Sequence, residues 1–193
     1  MRSPGISLSD MLTGLCVIAP VLGGYLAHAP VLRFDLLHRL ARPIDGGATL
    51  RGRRVFGDNK TWRGAVVMSA GVLTATMLLS LWPTCSRQWP ATLRSHRVLF
   101  GLLLALGFVA GELPNSFIKR QVDIEPGGRR LSPFGMALLI LDQADFVPAV
   151  WLTLSPLWLM SPVQALVVLA VVVVVHSMIN VLGYAIGARR TWT

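Results

Sequence analysis

Acidic residues are scarce. Nine Asp and Glu stand against 18 Lys and Arg in 193 residues, and charged residues of both signs make up only 14% of the chain. A soluble globular domain carries roughly 25%. With a mean hydropathy of +0.60 the chain has too little charge to read as one. The same figures exclude a disordered chain, which requires low hydrophobicity. Cysteine is nearly absent: Cys16 and Cys85 offer neither a Cys-x-x-Cys pair nor zinc-type spacing. Cys16 falls in an apolar run and Cys85 in a connecting segment, so the two are not expected to meet. There is no internal repeat, and no Ser-His-Asp or Cys-His arrangement that would point to a covalent enzyme intermediate. What is abundant is apolar side chain, 53% of the residues. A net charge of +9 can suit nucleic acid. In a chain this apolar it first suggests a membrane with basic loops on the cytoplasmic side.

A bilayer core about 30 Å thick requires about 20 helical residues per crossing. Residues 11–31 contain no Asp, Glu, Lys or Arg and form the first candidate. Residues 64–82 form the second. Residues 98–118 form the third, interrupted by Glu112, and their uncharged part is too short to cross alone. Residues 133–158 form the fourth and contain Asp142 and Asp145. Residues 163–188 form the fifth and contain His176 and Asn180. The expectation is an all-α integral membrane protein. It would be a single domain over residues 1–193, with about five transmembrane helices and a long cytoplasmic loop, 32–63, after the first. Unstructured loops of that length are usually functional or disordered. Fourteen of the 18 positive residues lie on the side of that loop and four on the other. The positive-inside rule then puts the N-terminus outside and the C-terminus in the cytoplasm of a multi-pass cell (inner) membrane protein. Residues 27–29, Ala-His-Ala, have the form of a signal cleavage site. The long apolar run and Pro30 directly after it favour a retained first span.

Four polar clusters interrupt this apolar background. In the long loop, Gly57-Asp58-Asn59-Lys60-Thr61 leads into Trp62-Arg63. Glycines allow backbone N–H groups to turn toward an anion, and a helix start presents free N–H groups. Lys60, Thr61 and Arg63 at such a start make a phosphate cradle. Arg51, Arg53 and Arg54 suit equally a plain contact with anionic headgroups. At the end of the third span, Glu112, Ser116 and Lys119 share one helix face at i, i+4, i+7, and Asn115 neighbours Lys119. Pro114 frees the carbonyl of residue 110, and broken helices at membrane depth are tolerated where they line a cavity. The plainer alternative pairs Glu112 with Lys119 or Arg120 at the interface. In the fourth span Asp142 and Asp145 lie at i, i+3 and repel unless a cation sits between them. Carboxylates with substrate phosphates are the ligands Mg²⁺ prefers. In the fifth, His176, Asn180 and Tyr184 form one polar stripe, which either joins helices by hydrogen bonds or lines the same cavity. All four clusters fall at the cytoplasmic ends of their spans. Basic groups for several phosphates and paired acids for Mg²⁺ imply a nucleotide, and the membrane setting implies a lipid co-substrate.

These residues resemble the CDP-archaeol synthase family, relatives of phosphatidate cytidylyltransferase. The resemblance rests on Arg42-Pro43-Ile44-Asp45-Gly46-Gly47, the run from Phe56 to Gly64, Ser116-Phe117-Ile118-Lys119-Arg120, Asp142-Gln143-Ala144-Asp145-Phe146, and His176…Asn180…Tyr184. It implies transfer of CMP from CTP to a membrane lipid phosphate, with Mg²⁺ and release of pyrophosphate. Asp142, Asp145 and Lys119 would be catalytic. Asp142 and Asp145 would hold the metal, with Glu112 a third candidate. Asp58, Lys60, Thr61, Arg63, Asn115, Ser116, Arg120, His176 and Asn180 would bind CTP or the lipid phosphate. The partners are then CTP, the lipid phosphate and the bilayer, and no nucleic acid. Two positions depart from the family pattern: Glu112 stands where Asp is usual, and Asn115 where a basic residue is common. Both leave the reaction type intact, and both an archaeol-type ether lipid and phosphatidic acid remain candidates. A small ion-coupled transporter would also use acids and a Pro-containing helix inside spans. A non-enzymatic anchor would use the basic loops alone and has no need of Asp142 and Asp145.

Overall fold

A computed structural model describes residues 7–124, 138, 141–142 and 145–185, the side chains of residues 180, 182 and 183 excepted. The described residues are mostly helical. Helices α1 (Leu8–Ile18) and α2 (Val21–Arg33) lead into the long loop, which carries strands β1 (Thr49–Leu50) and β2 (Arg53–Arg54). Helix α3 (Trp62–Ser80) follows, then the short α4 (Pro83–Ser86) and α5 (Ala91–Ser95). Helix α6 (Arg97–Gln121), α7 (Phe146–Leu154) and α8 (Pro162–Ala185) complete the described elements. Among the described residues four segments are long and apolar enough to cross a membrane: Leu8–Arg33, Trp62–Ser80, Arg97–Gln121 and Pro162–Ile179.

The structure changes several expectations. The first span is two helices rather than one, because Pro20 cannot donate to the carbonyl of Cys16. That freed carbonyl accepts the indole Nε1–H of Trp89 at 2.8 Å. It also receives the thiol of Cys85 at 3.7 Å. The two cysteines therefore do meet, contrary to the expectation from their separate segments, and both are free thiols. Helix α6 is not broken at Pro114 but runs unbroken for 25 residues to Gln121, past Glu112. The loop is not purely irregular. A two-residue hairpin joins β1 to β2, with positive φ at Arg51 (54°) and Gly52 (79°). Such primed turns match the twist of paired strands. Of the fourth expected span, α7 is described and ends at Leu154. Residues 133–137, 139–140 and 143–144 lie outside the described residues, as do residues 186–188 of the fifth.

Close packing at small residues sets the helix spacing. Association in lipid depends on van der Waals contact more than on exclusion of water, so small residues mark tight crossings. A Cβ on Gly107 would lie 2.6 Å from the Cα of Val150, and one on Gly111 2.4 Å from the Cα of Phe146. The two glycines are one turn apart on α6, as Phe146 and Val150 are on α7. Helices α2 and α3 approach similarly at Gly23 and Gly71. Aromatic edges fill the centre: Phe108 meets Phe146 at 5.1 Å and Tyr25 at 5.2 Å. At the opposite end of the bundle, buried Trp89 packs edge-on against Phe100 at 5.0 Å.

Two outcomes check this packing. Gly111→Val should destabilise the protein in detergent by about 1–3 kcal/mol, the usual cost of overpacking. A thermal melt showing no loss relative to Leu106→Val, at an exposed position, would refute the close crossing. The thiol of Cys85 is pushed up to about 12, first by burial and then by its contact with Cys16. At pH 8 its thiolate fraction is then far below that of an ordinary cysteine. Site-resolved maleimide labelling should be at least tenfold slower than at an exposed cysteine.

Candidate active site

The long loop is built around one acid. Asp45 accepts the Phe56 N–H at 2.9 Å and the Gly47 N–H at 3.0 Å. The guanidinium of Arg54 donates to it at 3.0 Å. Its side chain is 2% exposed. Burial would push this carboxyl up, but the two backbone N–H groups and Arg54 outweigh it and hold it below the ordinary carboxylate range. The loop is pinned to the end of α6 as well. Gln121 Nε2 donates to the Arg54 carbonyl at 3.2 Å, and Arg53 pairs with Asp123 at 2.7 Å. Arg120 donates through Nε to the Phe56 carbonyl at 3.3 Å and through Nη1 to the Ile124 carbonyl. Gly57 has φ +89°, and a Cβ there would lie 2.6 Å from Arg120 Nε, so both conformation and space require glycine. Thr61 caps α3 by accepting the Gly64 N–H at 3.2 Å.

Between this loop and the helix ends lies a polar cleft. Its cavity is about 260 Å³, near the lower end of ordinary ligand sites. Lys60 pairs with Glu112 at 2.5 Å. Lys119 pairs with Asp142 at 2.6 Å. Asn115 Nδ2 donates to Asp142 Oδ1 at 2.8 Å and to Asp145 Oδ2 at 3.2 Å, so one amide joins both carboxylates. Burial alone would lower the Lys60 ammonium, but Glu112, with smaller help from Asp145 and Asp142, raises it above its ordinary value. Lys60 is therefore a firm cation in the cleft. The crossing of Gly111 with Phe146 explains the meeting: Asn115 is one turn beyond Gly111, and Asp145 directly precedes Phe146.

Glu112, Lys60, Thr61, Ser116, Lys119 and Arg120 line the cleft, together with Asp142, Asp145 and His176. Asp58 does not; its carboxylate is exposed and pairs with Arg54 at 2.5 Å. Arg63 also turns away, to Asp35 at 2.6 Å and the Leu36 carbonyl at 3.3 Å. Asn115 meets the acids from behind rather than lining the cleft. The side chain of Asn180 lies outside the described ones. Tyr184 is exposed. The sequence reading missed Tyr25 and His28, which line the cleft from α2. Their signal was present: two polar side chains at i, i+3 in an otherwise apolar span. It also gave no separate role to Asp45.

The donor set suits a hard cation that also takes phosphate oxygens. Among the described residues no group of three or more His, Cys, Asp or Glu gathers into a closed metal cage. Mg²⁺ seldom uses one, and binds through one or two carboxylates plus substrate phosphates. Asp142 and Asp145, joined on one amide, supply that number.

A sequence model described as CDP-archaeol synthase matches residues 10–193. The chain is 36% identical over 156 residues to the CDP-archaeol synthase of Methanosphaerula palustris, covering 76% of this chain and 87% of that one. It is 33% identical over 184 residues to that of Thermococcus onnurineus, covering 94% and 96%. Among solved structures it resembles an intramembrane enzyme for archaeal membrane lipids biosynthesis. The TM-score is 0.65 at 27% identity, over 88% of this chain and 94% of that one.

The role of Asp45 predicts the behaviour of the loop. Hydrogen bonds to a charged group contribute about 1.5–3 kcal/mol each. Asp45→Ala should therefore speed tryptic cleavage after Arg51, Arg53 and Arg54 at pH 8 by tenfold or more. In the native protein the depressed carboxyl contributes fully above its unfolded value near 3.9 and loses its effect only as pH falls through its lower folded value. Hydrogen exchange of residues 45–57, corrected for intrinsic rates, should stay flat from pH 8 to 5.

Proposed function

The chain belongs to the CDP-archaeol synthase family, and on that premise we propose that the cleft is where its reaction takes place. The protein is a membrane nucleotidyltransferase of phospholipid biosynthesis that carries out CTP-dependent cytidylyl transfer onto archaetidic acid, giving a CDP-lipid and pyrophosphate. An oxygen of the lipid phosphate attacks the α-phosphorus of CTP. The bond from that phosphorus to the oxygen bridging toward the β-phosphate breaks, and pyrophosphate departs with the electron pair. A phosphate monoester oxygen is already anionic, so no strong general base is required. The barrier is the approach of two anions, and catalysis is positioning plus charge stabilisation.

The observation that carries this reading is the joining of Asp142 and Asp145 on Asn115 beside the cations Lys60 and Lys119 in one cleft. Lys119 meets the reacting phosphates from beside Asp142. Lys60, Ser116 and Arg120 orient the nucleotide or the lipid headgroup, His176 completes the wall on α8, and Asn180 one turn further along that helix is a candidate for the same substrates. Asp142 and Asp145, with Glu112 as a third candidate, would hold Mg²⁺, which would supply the positive charge that offsets the triphosphate. Asp58 and Arg63 act indirectly, by shaping the loop and the start of α3, while Thr61 lines the cleft and caps α3. The lipid chains stay in the bilayer while the headgroup reaches the basic face. That face is cytoplasmic, where CTP is available, and the N-terminus is outside. A fifth crossing over residues 133–158 belongs to this reading, and of that segment α7 is the described helix.

Purified protein supplied with CTP, Mg²⁺ and archaetidic acid or phosphatidic acid should release pyrophosphate. Absence of release with every ether and ester lipid phosphate would refute the reading. Asp145→Asn should lower kcat at least a hundredfold without lowering the melting temperature in detergent. Near-normal turnover would make the paired acids structural.

A further inference from the structure

Cys16 and Cys85 are 69 positions apart in the chain, yet one carbonyl brings them together. Pro20 cannot donate to the Cys16 carbonyl, so that oxygen takes partners from outside its own helix. Trp89 Nε1 donates to it at 2.8 Å and the Cys85 thiol at 3.7 Å. The two thiols also meet each other directly. Val17 beside Cys16, and Trp89 and Leu93 beyond Cys85, are buried, whereas both cysteines are only partly covered. The sulfurs therefore sit at the rim of the core, within reach of a small reagent. Cysteine used only as a small apolar filler is among the most buried of residues, and neither of these is buried. The segment holding α4 and α5 lies on the side that carries four of the 18 positive residues. That is the outer side in the orientation proposed above, where thiols are not kept reduced as they are in the cytosol.

We propose that Cys16 and Cys85 form an oxidisable dithiol site, joined as a disulfide that staples α1 to α4 on the outer face. The inference rests on that orientation and not on the chemistry of the cleft, which lies at the other end of α6. The co-reactant is a disulfide, on a protein or on a small molecule. One cysteine thiol attacks it, gives up its proton and remains as a mixed disulfide, and one thiol of the reagent departs. The sulfur of the other cysteine then displaces the second half. Two electrons and two protons pass to the reagent, which leaves as two thiols. The surroundings favour the joined form. The Cys85 S–H is the weaker of two donors to the Cys16 carbonyl, so its loss leaves that oxygen still bonded to Trp89 and orphans no acceptor. In the reduced form burial, and then the Cys16 thiol, push the Cys85 thiol up to about 12. A thiol that ionises so reluctantly is a poor leaving group, so the disulfide, once made, is slow to be reduced. The bond also closes a long stretch of chain holding α2, the basic loop and α3, and constraint of the unfolded chain grows with the length enclosed.

The test uses the full-length protein, first in detergent. Reduced protein is treated with a slight excess of dithiodipyridine. Each chain should release two thiopyridone molecules and lose the mass of two hydrogen atoms. Proteolysis should yield Cys16 and Cys85 in one linked peptide pair that dithiothreitol separates. Cys16→Ala and Cys85→Ala should each release one thiopyridone and keep a pyridylthio adduct on the remaining cysteine. Separate adducts on both cysteines of the unmodified protein, links only between chains, or thiols that stay free would overturn the proposal. The joined form should melt about 5 °C or more above the reduced form. An equal melting temperature would overturn the staple. In the pyrophosphate assay the two forms should have kcat within about twofold of each other, because the pair is far from the cleft. A loss of about tenfold or more on oxidation, regained on reduction, would overturn the staple and make the pair a switch. Absence of turnover in both forms would strike at the transfer reading and leaves the mass and melting readouts standing. In intact cells, with thiols blocked at lysis, the link should be present at harvest or form on adding a membrane-impermeant charged disulfide. A link formed only by a membrane-permeant reagent would overturn the outer placement.

Discussion

Acids placed among membrane-spanning helices cannot stand alone, and the arrangement of this protein follows from that constraint. An unpaired charge in a low-dielectric setting is far more costly than one in water. Glu112, Asp142 and Asp145 are each met by a specific partner. Lys60 reaches Glu112 from the loop, Lys119 reaches across from α6 to Asp142, and Asn115 gives one amide to both aspartates. These partners come from different parts of the chain, so loop, α6 and the segment before α7 must be in place together. The same pairs leave a cleft with both signs of charge at its wall, which can take a phosphate and a hard cation at once.

Backbone geometry makes the pairing achievable. Gly107 and Gly111 allow α7 to lie against α6 almost at backbone contact, which places Asp145 beside Asn115. Asp45 gathers the turn at Gly47, the Phe56 N–H and Arg54, and Arg120 reaches from α6 into the loop at Phe56. Lys60 is thereby delivered to Glu112 from a segment with little regular structure of its own. A basic loop built only to obey charge topology would need neither the buried Asp45 nor the positive φ at Gly57. Two purposes of helix packing, holding the bundle and siting the acids, are served here by one pair of glycines.

Much of this was legible along the chain. Apolar runs of bilayer length located four of the five expected crossings among the described residues, because hydrophobic length is a one-dimensional property. Glu112, Asp142, Asp145 and Lys119 stood out because ionisable residues are rare in such runs. Other assignments went astray where a single side chain had two uses. Arg63 looked like a phosphate ligand at a helix start, yet Asp35 captures it. Asp58 sat in a glycine-rich run but faces solvent against Arg54. Tyr25 and His28 were hidden among apolar neighbours, and Cys16 and Cys85 were set apart by segment although Pro20 frees the carbonyl that draws them together.

By itself, then, the sequence determined a membrane protein with its charges gathered at one end, the order of its polar motifs and the family to which they belong. These are matters of hydropathy, charge count and local spacing, each of which can be read from near neighbours. Only the tertiary structure decided which acid pairs with which cation, and that Asn115 joins Asp142 to Asp145. Those depend on contacts between residues far apart in the chain, where a difference of an ångström in helix separation decides whether side chains meet. No periodicity in the sequence records that distance.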